Sequence, residues 1–282
     1  MLEGIRKSAD FLSRKGVDSP RLQSELLLAH ALGIPRLKLY LDFDRQLVPG
    51  EVEALRGFVQ RRASREPLQH IVGRTSFCGF EINVARSVLI PRPETEILAE
   101  RAWETINALT LNPRVLDFGT GSGCIAIALA TKCPRAEVHA CDVSSSALEM
   151  AQRNAAANQV GHRIQFRASD GFSAFANGEE FDVIVSNPPY IPTAEIQTLE
   201  REVKDHDPLL ALDGGTDGLA FYRLLATEGG NRLSPGGCLL AEFGDGQAES
   251  LHSVFAEAGW GVECFNDYSG RARILIARKA KA

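Results

Sequence analysis

Asn187-Pro188-Pro189-Tyr190 brings together residue types that can hold a planar amino group. The Asn187 side-chain oxygen and the Pro188 carbonyl are two acceptors, and the Tyr190 ring is a flat apolar wall. A planar –NH2 has two donors and a face to stack, which suits this arrangement. The same residues could also serve only as a turn that ends a strand, as Asn-Pro pairs often do. A second group, Asp117-Phe118-Gly119-Thr120-Gly121-Ser122-Gly123, puts a carboxylate ahead of three alternating glycines, and Asp142 follows 19 residues after Gly123. Glycines allow a tight backbone turn and close approach to a ligand, and a helix start after them offers free N–H groups. An acid at Asp142 can accept from both hydroxyls of a ribose.

Two adenosine-containing cofactor classes use such parts. The dinucleotide fingerprint needs G-x-G-x-x-G, whereas the spacing here is G-x-G-x-G. A carboxylate at Asp117 would repel a pyrophosphate but suits the amino group and sulfonium of S-adenosylmethionine, directly or through water. The sequence therefore favours the methyl donor over the dinucleotide.

These groups need strands that end where they begin. Phe181–Ser186 is a short apolar, β-branched run, and the two prolines after it cannot donate to a sheet ladder. The strand must stop there and leave a stiff loop at its carboxyl end, where open α/β sheets bind ligands. From Arg114 onward the pattern predicts strands over 114–118, 136–141, 163–167, 181–186 and 237–242. Helices are expected over 123–132, 145–158, 217–229 and 247–258. Such alternation argues a parallel sheet covered on both faces. Runs at 261–266 and 273–277, joined by Asp267-Tyr268-Ser269-Gly270, should pair as an antiparallel hairpin.

Residues 1–68 read as a small helical bundle. Ser19-Pro20 is the expected N-cap and first position of a helix carrying Leu22, Leu26, Leu27, Ala29 and Ala31, and Gly33 ends it. Val52, Leu55 and Val59 mark another helix, closed by Arg61-Arg62-x-x-Arg65 as a solvated end. Ile71-Val72, Phe77, Phe80, Ile82 and Val84 suggest one or two linking strands within 69–90. Pro93 should begin a helix whose first turn carries Glu94 and Glu96, and by residue type alone Arg92 and Glu94 fit a cap-and-pair role.

The 282 residues are 44% hydrophobic and 24% charged, the balance of a soluble globular protein. No run approaches the roughly 18–20 apolar residues of a membrane span. Net charge is −5, unevenly spread: residues 1–70 hold 12 Lys and Arg against 9 Asp and Glu, or +3, and the rest hold 19 against 27, or −8. A general nucleic-acid binder would show a basic excess. The six cysteines form no C-x-x-C pair, so free thiols in a reducing cytoplasm are expected, with no metal site.

Asp117-x-Gly119-x-Gly121-x-Gly123, Asp142 and Asn187-Pro188-Pro189-Tyr190 together resemble the class I S-adenosylmethionine-dependent methyltransferases that modify planar amino or amide nitrogens. Leu89-Ile90-Pro91-Arg92-Pro93-Glu94-Thr95-Glu96, Leu212-Asp213-Gly214-Gly215-x-Asp217-Gly218-Leu219 and Ser24-Glu25-Leu26-Leu27-Leu28-Ala29-His30 narrow the match. Over nearly the whole chain they resemble the release-factor glutamine-N5 methyltransferases, the HemK/PrmC family. The resemblance implies an α/β fold: a seven-stranded, mostly parallel Rossmann-like methyltransferase sheet with a terminal antiparallel hairpin, plus the N-terminal helical bundle. The implied organisation is a substrate-docking domain at 1–68, linking strands at 69–90 and the methyltransferase domain at 91–282.

By the same resemblance, the methyl acceptor is the glutamine amide nitrogen in the Gly-Gly-Gln motif of peptide chain release factors. The donor is S-adenosylmethionine, leaving S-adenosylhomocysteine, and neither membrane nor nucleic acid is an expected partner. Asn187, Pro188 and Tyr190 are the implied catalytic residues, and Pro189, Arg92 and Glu94 join them on the substrate side. Asp117, Gly119, Thr120, Gly121, Ser122, Gly123, Asp142 and Asn187 would hold the cofactor, with Asp170, Gly171 and Phe172 bordering the adenine and Phe172 stacking on it. A glutamine methyltransferase acting on a ribosomal protein would share these parts. A DNA adenine-N6 methyltransferase would share Asn187–Tyr190, but the −8 of the catalytic part and the lack of a large insertion argue against it.

Overall fold

A computed structural model of the chain describes residues 1–279. They form two compact units, one of Met1–Arg74 with Glu200–His206, the other of Thr75–Leu199 and the residues from Asp207 onward. Among the described residues, no helix is long and apolar enough to cross a membrane.

The first unit holds helices α1 (Leu2–Arg14), α2 (Pro20–Leu32), α3 (Pro49–Ala63) and α4 (Leu68–Val72) around Ile5, Leu12, Leu27, Leu28, Leu39, Leu55, Val59 and Ile71. Pro20 opens α2 and Gly33, at φ +63°, closes it, as expected. Ser19 is itself left-handed and makes no capping bond, and Leu22 is exposed. Ile71 and Val72 belong to a helical turn after Pro67, not to a strand, because Gly73 in the left-handed region ends α4 before β1 begins. The basic run is also not merely a solvated end. Arg62 is buried, donating to Gln23 and pairing with Glu202, which Arg65 also reaches at 2.8 Å.

In the second unit, β1 (Arg74–Phe77) and β2 (Phe80–Asn83) form a two-stranded ribbon. Cys78 and Gly79 at its tip both have positive φ, the conformation a two-residue hairpin turn requires. Then follow α5 (Pro93–Asn107), β3 (Arg114–Phe118), α6 (Cys124–Lys132), β4 (Glu137–Asp142), α7 (Ser145–Ala157), β5 (Ile164–Ala168) and β6 (Phe181–Ser186). The short α8 (Arg201–Lys204) lies in the first unit, and α9 (Ala220–Thr227), β7 (Leu233–Glu242), α10 (Ala248–Glu257), β8 (Trp260–Asn266) and β9 (Ala272–Lys279) complete the second.

The main sheet has seven strands in the order β5-β4-β3-β6-β7-β9-β8. The first five are parallel, and β9 runs antiparallel to both β7 and β8. Successive strand residues face opposite sides. Val115, Val138, Val183 and Leu240 therefore join α5, α6 and α7 in one core, while Leu116, Ile184, Leu239 and Leu275 meet Phe172, Tyr222, Leu225 and Phe255 in the other. Phe118 is in register with both Cys141 and Ser186, so three neighbouring strands end level. The chain order reverses on either side of β3, and the loops after β3, β4 and β6 open at one carboxyl edge. In such sheets that edge is the ligand site.

Candidate active site

The loop after β3 is stitched to the end of β4. The amides of Gly119 and Thr120 both donate to the Cys141 carbonyl, at 3.0 and 2.9 Å. Gly119, Gly121 and Gly123 all have positive φ. At Gly123 a Cβ would also lie 2.9 Å from that of Ala151, so α6 and α7 pack closely only without it. Asp142 closes the arrangement: its Oδ2 accepts from the Gly121 amide and its Oδ1 from the Ser144 amide, each at 2.9 Å. Burial raises the Asp142 carboxyl from its ordinary range, and these two amides oppose the rise.

Asp117 sits beneath this loop rather than in its mouth. It is fully buried, and its Oδ2 accepts from the Thr120 hydroxyl (2.6 Å) and the Ala126 amide (3.0 Å). It thereby supplies the side-chain cap that Gly123, at the start of α6, cannot. Its Oδ1 has no hydrogen-bond partner among the described residues. Burial pushes its carboxyl up to about 7, and the nearby Asp142 adds to the rise.

A cavity of about 300 Å³ opens at the carboxyl edge. Gly119, Thr120, Gly121, Ser122, Asp142, Asp170, Gly171, Asn187, Pro188 and Pro189 all line it, which brings most of the expected cofactor and acceptor residues together. Five expected site residues besides Asp117 lie outside this lining, the first being Gly123, which instead lets α6 pack on α7. Phe172 is buried and stacks on Phe118 with ring centroids 4.7 Å apart, so it belongs to the core. The aromatic residues that do line the cavity are Phe118, at the end of β3, and Phe221 of α9. Tyr190 packs against the second core, where burial pushes its hydroxyl up to about 12. Arg92 pairs with Asp207 at 2.6 Å, and Glu94 lies in the first turn of α5. The Arg92–Asp207 pair anchors the segment whose Pro208, Leu210 and Ala211 line the cavity. Burial pushes the Asp207 carboxyl up to about 6 in spite of Arg92.

The Asn187 loop is held from both sides. The Ile191 amide donates to the Leu212 carbonyl at 3.1 Å, the Ile191 carbonyl accepts from the Gly214 amide at 2.9 Å, and Gln247 donates to the Tyr190 carbonyl at 2.9 Å. A Cβ at Gly214 would lie 2.9 Å from the Pro189 carbonyl oxygen, and one at Gly218 would collide with that of Tyr190. The glycine-rich run 212–219 thus exists to let backbone lie on backbone. Sequence reasoning did not single out Thr95 or Glu242. The Asn187 Nδ2 donates to Thr95 Oγ1 at 3.0 Å, and that hydroxyl donates to Glu242 Oε2 at 2.7 Å. A signal for Glu242 is present in the sequence: like Asp117 and Asp142, it is an acid at the carboxyl end of an apolar strand.

A methyltransferase from Pyrococcus furiosus has the same fold, with a TM-score of 0.53 and 21% identity over 73% of this chain and 92% of that one. The strand order and terminal antiparallel pair are those of a Rossmann-like methyltransferase fold. Residues 3–73 match the PrmC N-terminal domain and residues 95–214 the methyltransferase small domain. Release factor glutamine methyltransferases of Geobacter sulfurreducens and Chlorobaculum tepidum are each 45% identical to this chain. The alignments cover 97% of this chain and 96% of the relative in the first case, and 95% and 94% in the second. The chain belongs to the release factor glutamine methyltransferase family.

Proposed function

We propose that this chain transfers a methyl group from S-adenosylmethionine to the side-chain amide nitrogen of the glutamine in the Gly-Gly-Gln motif of peptide chain release factors. The observation that carries this reading is that Asp142, the glycine loop and Asn187-Pro188 line one cavity. The residues fit the methyl donor. Each Asp142 oxygen accepts one amide and keeps a lone pair for a ribose hydroxyl. Apart from the adjoining residues, a Cβ at Gly119 or Gly121 would meet no atom within 4 Å, which leaves open space beside the loop for a bound group. The buried Asp117 carboxylate below that loop favours a cationic neighbour over a phosphate.

S-adenosylmethionine, when bound, supplies an electrophilic methyl group on a sulfonium. A carboxamide nitrogen is a poor nucleophile because its lone pair is delocalised into the carbonyl, so the protein must position it and favour the charge it develops. The Asn187 Oδ1 and the Pro188 carbonyl each accept one N–H of the glutamine amide, holding it in a single orientation. Both acceptors also favour the positive charge that grows on the nitrogen, in the manner of an oxyanion hole with the sign reversed. The nitrogen would gain the methyl while the donor sulfur keeps the electron pair of the broken S–CH3 bond, leaving S-adenosylhomocysteine, and one N–H proton would pass to water.

The helical unit is the docking part for the protein substrate. Every side chain lining the cavity lies outside Met1–Arg74 and Glu200–His206, which leaves that unit free for recognition. Mass spectrometry of a release factor incubated with enzyme and methyl donor tests the assignment. One added methyl on the Gly-Gly-Gln glutamine is expected, with none on a factor carrying Gly-Gly-Glu. Methylation elsewhere, or of the Gly-Gly-Glu control at that site, overturns it.

A further inference from the structure

Asn187 can serve as an acceptor only if its amide is turned with the oxygen toward the cavity, and nothing in Asn187 itself decides this. Thr95 is buried and lines the same cavity, and Glu242 at the end of β7 is buried behind it. We propose that Glu242, acting through the Thr95 hydroxyl, is a positioning residue that locks Asn187 with Oδ1 facing the substrate amide. A hydroxyl has one proton to give. Thr95 gives it to Glu242 Oε2 at 2.7 Å, so only its lone pairs remain for Asn187, which must offer Nδ2. The Tyr222 hydroxyl donates to the Glu242 backbone carbonyl at 2.7 Å and holds the strand end in place. The device deepens the glutamine-methylation reading and rests on it.

The lock works only while Glu242 is ionised. A protonated Glu242 can donate to Thr95, freeing the threonine proton to point at Asn187. The asparagine amide then turns over and presents N–H groups to a substrate that also offers N–H groups. Burial pushes the Glu242 carboxyl up to about 7; Glu94 on α5 adds to this, while the Thr95 bond, Arg273 on β9 and Arg92 oppose it. The Tyr190 and Tyr222 hydroxyls also face it, both raised by burial and so neutral. Methyl transfer should therefore weaken as pH falls through the Glu242 range.

The test compares wild type, Thr95→Val, Thr95→Ser and Glu242→Gln on a release factor bearing Gly-Gly-Gln. Thr95→Val should lower kcat/KM by about 10- to 100-fold, the scale of a misplaced contact group. Thr95→Ser should restore most of it, and S-adenosylmethionine affinity should stay within about twofold throughout, since neither residue binds the cofactor in this reading. Glutamine matches a protonated glutamate in shape, so the ratio of wild-type to Glu242→Gln kcat/KM should shrink as pH falls from about 9 to about 6. Asp117 and Asp207 are common to both enzymes and cancel from that ratio. Full activity in Thr95→Val overturns the proposal, and so does a ratio that stays constant across this range. The ratio decides the matter by itself if Thr95→Val does not fold. A wild-type enzyme that fails to methylate the Gly-Gly-Gln factor would instead overturn the substrate reading.

Discussion

The Gly121 amide donates to Asp142 Oδ2 at 2.9 Å, so the glycine loop and the acid that ends the next strand form one unit. The Ser144 amide secures the other oxygen and leads into α7. Removing the carboxylate therefore takes away two things together: acceptors for the ribose and the tie that sets the loop's shape.

Asp142→Ala should weaken S-adenosylmethionine binding by at least the about 1.5–3 kcal/mol of one charge-assisted hydrogen bond. Asp142→Asn, which keeps one acceptor oxygen, should lose less. The fold should persist in both, because Asp142 ends a strand and is not in the apolar core. Calorimetric titration checks this, and unchanged affinity in Asp142→Ala would remove the residue from the ribose site.

Asp117 sets stability against binding. Its carboxyl, raised by burial to about 7 from an ordinary 3.8, binds a proton more tightly in the folded chain than in the unfolded one. Between those values the folded state holds more protons, so this group's contribution falls as pH rises and its cost is complete above about 7. The gap corresponds to up to roughly 4 kcal/mol. Asp117→Asn should therefore raise Tm at pH 8, and the gain should shrink as the pH is lowered toward about 5. The same change should weaken binding of the cationic cofactor. Thermal melts across pH check the sign, and a stabilisation that grows toward acid would contradict it.

Much of this site is legible locally. The spacing of Gly119, Gly121, Gly123 and Asp142 encodes a strand, a tight turn and a strand end, all set by residues near one another in sequence. The prolines at 188 and 189 likewise stop β6 where the cavity begins. What escapes is decided by packing between distant segments. Whether Phe172 or Phe221 faces the cavity depends on which ring stacks on Phe118, and local pattern carries no record of that. Thr95 and Glu242 are 147 residues apart, so their bond appears only once α5 lies across the end of β7. Arg62 reads as one of a solvated basic run because its partner, Glu202, lies 140 residues away in a segment that folds with the helices.

Gly218 tests whether the Asn187 loop must rest on backbone. The residue has φ +74°, and a Cβ there would run into the Tyr190 carbonyl and lie 2.8 Å from Gln247 Nε2. Gly218→Ala should push the loop away and lower kcat by about 100-fold, as small displacements of positioning groups do. Cofactor affinity should change little, because Asp142 and the glycine loop are held by separate bonds. Equal losses in affinity and kcat would show that the two halves of the cavity are not independently built.

The most direct measurement is the single-turnover rate of methyl transfer to the Gly-Gly-Gln glutamine by wild type and Asn187→Ala, at saturating S-adenosylmethionine. Asn187 Oδ1 is proposed to favour charge that appears on nitrogen only in the transition state. Loss of one such partner typically costs about 2.7–4 kcal/mol, or roughly 10²–10³ in rate. Tyr190→Phe should be far milder, since the Tyr190 ring packs against the second core and its hydroxyl is given no part in the transfer. A fall of at least about 100-fold is expected for Asn187→Ala, with cofactor affinity nearly intact. An Asn187→Ala enzyme that keeps more than about a tenth of the wild-type rate, with chemistry still rate-limiting, would contradict it.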